Sequence, residues 1–147
     1  MNFSVPEQKP TGNEGTAAPV FKSEGPLFDV IGDPSRGFTH YILRGRWEPG
    51  TVDNLVAAYE PIAQAMMATG DITHTLVDAA DFEVTSAVVD RFPAIVRAAN
   101  PSPSKRTAIV MPQMVSRVMA RPVAEMINAR FFNTADAARE WLFSDEA

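Results

Sequence analysis

From Leu27 to Leu142 the apolar residues change their spacing repeatedly, from the short runs of strands to the 3.6-residue stripes of helices, and this alternation leaves few folds open. Leu27-Phe28-Asp29-Val30-Ile31-Gly32 reads as a strand, and Gly32-Asp33-Pro34-Ser35-Arg36-Gly37 as the turn of a hairpin. The return strand is Phe38 to Arg44, with Phe38, His40, Ile42 and Arg44 on one face and Thr39, Tyr41 and Leu43 on the other.

Val52, Leu55, Val56, Tyr59, Ile62, Ala63 and Met66 then recur at helical spacing, with Thr51 as the expected N-cap and Gly70 as the stop. Pro61 inside this stripe, and Pro93 inside the next, each predict a kink or a break. His74 to Asp78 is a short strand. Val84, Val88, Phe92, Ile95, Val96 and Ala99 form a second stripe, and Asn100-Pro101-Ser102-Pro103-Ser104 a loop. Thr107-Ala108-Ile109-Val110-Met111 is a continuous apolar run of the kind found in a strand covered on both faces. A third stripe takes in Met114, Val115, Val118, Met119, Val123, Met126 and Ile127. A last strand spans Ala129 to Phe132, and Thr134 caps a final helix carrying Ala137, Ala138, Trp141 and Leu142.

The expected order is β-β-α-β-α-β-α-β-α: an α/β domain with an opening hairpin, about four helices and a mixed sheet, largely parallel and joined by right-handed crossovers. With 147 residues, 46% of them hydrophobic, one core is the default. Residues 1–24 hold Pro6, Pro10, Pro19, Gly12 and Gly15 with no apolar period and read as a flexible arm, leaving 25–147 as the domain.

Composition removes several classes of function. A net charge of −5, with the 13 basic residues scattered, argues against a nucleic-acid binder. With no cysteine there is no thiolate nucleophile, disulfide or Cys-based metal site, which fits a reducing, cytoplasmic location. No apolar run approaches the ~18 residues of a membrane span. His40 and His74 have no partner at metal-ligand spacing, and no glycine-rich phosphate loop occurs, so neither a metal nor another cofactor is expected.

The element order, with the closing Phe131-Phe132-Asn133-Thr134-Ala135-Asp136-Ala137-Ala138-Arg139-Glu140-Trp141-Leu142, resembles the SpoIIAA-like family, which shares the STAS-domain fold. The resemblance covers roughly residues 27 to 143 and implies a regulatory, protein-interaction module. Such modules are switched by phosphorylation at the start of the helix after the third strand. The matching stretch here runs from Leu76 to Val88 and offers Thr85 and Ser86, but it lacks the family's Asp-Ser-Ser-Gly type of turn, because no glycine follows Gly70. Hydroxyls at a helix start also occur there simply as caps.

Three hypotheses follow. The first is a non-catalytic interaction module working through the loop after Asp78 and the helix beyond it, with Asp78, Asp81, Thr85 and Ser86 as its surface. Arg46 and Trp47 form a second patch, in which Trp47 serves either as a binding anchor or as a plug for the end of the core. The second is a carrier or sensor of a small amphipathic or anionic ligand, drawing on Met66, Met67, Met111, Met114, Met119 and Met126 with Arg117, Arg121 and Arg130 nearby. At helical spacing these methionines equally fit an ordinary core. The third, a hydrolase, rests only on the carboxylates of Asp78 and Asp81. Homodimer formation would cover an edge strand.

Overall fold

A computed structural model describes residues 20–91 and 106–144. Residues 1–19, the stripe positions Phe92, Ile95, Val96 and Ala99, Pro93 and the loop at 100–104 lie outside the described residues. The strands are β1 (Phe21–Glu24), β2 (Phe28–Asp33), β3 (Phe38–Arg46), β4 (His74–Glu83), β5 (Arg106–Val110) and β6 (Arg130–Phe132). The described helices are α1 (Pro49–Met67), α2 (Ser86–Val89), α3 (Met114–Met126) and α4 (Ala135–Leu142).

The six strands lie side by side in chain order, β1-β2-β3 antiparallel and β3-β4-β5-β6 parallel. The α/β class, the opening hairpin and the parallel later half are as expected. One strand is additional: Phe21–Glu24, within the segment expected to be a flexible arm, pairs with Asp29–Gly32 as an edge strand. Its four residues carry no long apolar pattern, and only pairing with β2 makes them a strand.

A sheet that steps in one direction through right-handed crossovers keeps its crossover helices on one face. Accordingly α1 and α3 share a core with Val30, Leu43, Ala79, Phe82 and Ile109, while α4 packs on the opposite face against Phe38, Leu76, Ala108 and Val110. The alternation of β3 is as the sequence predicts: Phe38 belongs to the α4 side, and Leu43 and Tyr41 to the α1 side.

Several boundaries differ from expectation. Helix α1 starts at Pro49, with Glu48 rather than Thr51 at the N-cap, because proline's fixed φ suits a first turn and its missing N–H is no loss there. It ends at Met67, short of Gly70, and runs on through Pro61. Gly32 lets this helix approach, since a Cβ there would lie 2.8 Å from Ile62 Cγ2. Gly37 is demanded by the hairpin: its φ is +59°, and its carbonyl accepts from the amides of Thr73 and His74 at 2.8 and 3.0 Å.

The face presented by α3 is also corrected. Ala120 and Ala124 are its buried residues, whereas Met114, Val115, Val118 and Met126 from the expected stripe are exposed. With no glycine in this half of the chain, Asn128 takes the left-handed conformation after α3 (φ 53°), and the Ala129 amide donates back to the Ala124 carbonyl at 2.9 Å.

Helix α4 has eight residues, too few to stand alone in water. Thr134 accepts from the Ala137 amide at 3.1 Å, Ala138 and Leu142 are fully buried, and Arg106 reaches from β5 to the Trp141, Leu142 and Ser144 carbonyls at its C-terminus.

Candidate functional site

The structure disperses the residues singled out in the sequence. Strand β4 does not end at Asp78 but continues to Glu83, so Asp78 and Asp81 stand on a strand rather than in a loop. A bulge lies between them: Ile42 pairs with Asp78 and Arg44 with Asp81, two steps along β3 against three along β4. The Asp78 carboxylate accepts from the Ala80 amide at 3.2 Å and holds the bulge.

Arg46 pairs with Glu83 across the strands and donates to it at 2.9 Å, on an exposed surface. Its sequence neighbour Trp47 is 2% exposed, lies in the core on the α1 side, and donates from Nε1 to the Arg44 carbonyl at 2.9 Å. Its ring meets Phe28 and Phe82 edge-on at 5.7 and 5.0 Å. The patch expected from Arg46 and Trp47 together is therefore divided by the sheet.

Thr85 is the N-cap residue of the four-residue α2 and makes no side-chain cap, while Ser86 is exposed. Arg117 and Arg130 do not converge. Arg117 donates to the Met111 carbonyl and to Asn133 at 2.6 and 2.7 Å and lies over Phe131, whereas Arg130 lies over Phe132 and Trp141. Phe131 and Phe132 point to opposite faces. Of the methionines, Met66 and Met111 are buried and Met67, Met114 and Met126 exposed. Among the described residues no three His, Asp or Glu side chains gather as a metal site.

A different site emerges between the sheet and its helices. A partly open cavity of about 160 Å³ runs over β3, β4 and β5, beneath α1 and α3. Tyr41 and Leu43 come from β3, Thr75, Val77, Ala79 and Phe82 from β4, and Thr107, Ile109 and Met111 from β5 and its end. Leu55, Val56 and Tyr59 of α1 face Ala120 and Val123 of α3, with Ile127 just beyond. Only Met111 of the methionine set lines it.

The cavity has a floor in register. Thr39 pairs with Thr75 and Thr75 with Thr107, so three hydroxyl-bearing residues cross the sheet in one row, of which Thr75 and Thr107 line the cavity. The next row toward the strand ends is Tyr41, Val77 and Ile109. Tyr41 and Tyr59 pack ring to ring at 5.5 Å. Burial, and then Tyr59, push the Tyr41 phenol well above 10, and burial likewise raises Tyr59. Both are neutral hydrogen-bond donors at physiological pH. Sequence reasoning passed over these five hydroxyls, though the signal was present: Thr and Tyr at inward positions of strands and a helix whose other inward positions are apolar.

A separate polar group lies on the α4 face. His40 is buried, its Nδ1 accepts from Arg139 at 3.2 Å, and its Nε2 has no partner. Asp29 binds Arg44 on the same face. Among the described residues no helix is long and apolar enough to cross a membrane. Compared with protein-family models, curated proteins and solved structures, the chain matches none of them.

Proposed function

We propose that this chain is a non-catalytic binding module that holds a small, largely apolar, uncharged molecule between its sheet and helices α1 and α3. The cavity of about 160 Å³ carries this reading. A dry cavity of about 150 Å³ in another protein accommodates benzene, so the space suits a single ring with a short substituent. Among the described residues the lining offers hydroxyls but no carboxylate, imidazole, amine or guanidinium. An ionised ligand would lie there unpaired, which disfavours anionic cargo, and no lining group titrates near neutrality to serve as a general acid or base.

The test is titration of the full chain with ethylbenzene, followed by methyl NMR and thermal unfolding. Saturable shifts confined to Ala79, Ile109 and Ala120 are expected, with stabilisation of about 2.7 kcal/mol at a hundredfold excess over Kd. Absence of any saturable change up to the solubility of the probe would mean that the chain's own side chains fill the space, and the reading fails.

A second reading follows the resemblance to SpoIIAA-like, STAS-type interaction modules, supported by the order of elements. The open face of the sheet beside α4 exposes Arg46, Asp81 and Glu83 in register, a charged strip able to meet a protein partner. Retention of every partner captured from the source cells by an Arg46→Ala, Asp81→Ala variant would exclude that surface.

A further inference from the structure

We propose that the hydroxyls of Thr75 and Thr107, together with those of Tyr41 and Tyr59, form the head-group end of the cavity and select a neutral ligand bearing one carbonyl oxygen. This inference rests on the binding function proposed above and names the class of molecule bound.

The strand register gives the cavity two unlike ends. Near the starts of β4 and β5 its floor is Thr75 and Thr107, with Ile72 just before β4, and one row further on stands Tyr41. Toward the other end the wall is Leu43, Phe82, Val84 and Met111. A molecule lying along the strands would place one end among hydroxyls and the other among hydrocarbon.

Inward positions of a sheet covered by helices ordinarily carry Val, Ile or Leu, which fill the same space without a polar atom to satisfy. Here three neighbouring strands carry Thr at one level. Of these, Thr75 and Thr107 line the cavity, whereas the buried Thr39 lies outside its lining. Thr107 is likewise buried, and Tyr59 stands over the same region from α1. The phenols keep their protons and are hydrogen-bonded to each other, so between them one O–H is left to donate, and the complement of a neutral donor in an apolar site is a neutral acceptor. A ketone, aldehyde or ester carbonyl supplies that acceptor with no proton of its own to place and no charge to desolvate.

Two probes of nearly equal shape separate recognition from packing: acetophenone, which carries the carbonyl, and ethylbenzene, which does not. Both are titrated into the full chain as wild type, as Thr107→Val with Tyr59→Phe, as Tyr59→Phe alone, and as Thr107→Ser, which keeps a hydroxyl. The double variant is expected to bind acetophenone about tenfold more weakly while ethylbenzene changes less than about twofold, the size of one lost hydrogen bond. Thr107→Ser should hold acetophenone near the wild-type level. If the double variant does not fold, Tyr59→Phe alone is read by the same criterion. Parallel weakening of both probes, or an unchanged acetophenone affinity, overturns the head-group assignment while the binding function stands. Failure of the wild type to bind either probe overturns both.

Discussion

Arg139 on α4 donates to Nδ1 of His40 on β3 at 3.2 Å, joining residues 99 apart in the chain across the face of the sheet opposite α1. The bond requires Nδ1 to be unprotonated, which leaves the proton on the buried Nε2.

Burial first, and then the Arg139 charge, lower the His40 pKa from 6.5 to about 4, against smaller opposing effects of Asp78 and Asp29. The unfolded chain therefore binds a proton between pH 6.5 and 4 that the folded chain refuses. Stability is full above about pH 6.5 and falls as the pH drops toward 4, by about 2 kcal/mol after partial solvent screening. Urea unfolding between pH 7.5 and 4 should show this loss, and the difference between wild type and His40→Gln should shrink across the same window. An unchanged difference would place the titration elsewhere.

Thr39→Val removes a buried hydroxyl that has no partner and keeps the shape of the side chain. In the ligand-free protein it should raise the free energy of unfolding by about 1 kcal/mol, measured at constant m-value in urea. A loss of stability would show that the hydroxyl is bonded in solution.

Ala120→Leu extends a side chain of α3 into the cavity. Filled space should stabilise the protein by about 1 kcal/mol and abolish binding of ethylbenzene. If binding survives, the probe occupies another site.

Arg106→Ala takes the guanidinium from the last carbonyls of α4 and from its place over Trp141, 5.4 Å from the ring centroid. A loss of about 1–3 kcal/mol is expected, with faster amide exchange at Ala138 to Leu142. Arg106→Lys should restore only part of it, since a single ammonium on a flexible stem is less pre-organised than the fork.

Much of the fold was legible because its signals are local. Ala108 to Val110 is apolar on both faces and lies in a strand between two others. Thr134 precedes a helical stripe and caps it. The misreadings arose where a partner decides. Phe21 to Glu24 become a strand only beside β2, and β4 continues past Asp78 because β3 offers it a pairing edge. Met114, Val115 and Val118 suggested the buried face of α3, but packing in the folded chain buries Ala120 and Ala124 instead.

By itself the sequence determined the α/β class, the alternation of strands and helices, the hairpin at Gly32 to Gly37 and the capped last helix, since each follows from residue spacing or from a backbone preference acting over a few positions. Only the tertiary structure decided which residues meet. Arg46 and Trp47 are adjacent in the chain, yet Arg46 ends β3 on an exposed surface and Trp47, just past the strand, is buried in the core, whereas Thr39 and Thr107 stand in one row because β4 sets the register of both neighbours through Thr75. That register is a sum of backbone hydrogen bonds and packing across the whole sheet, and it placed Thr75 and Thr107 side by side at one end of an apolar cavity.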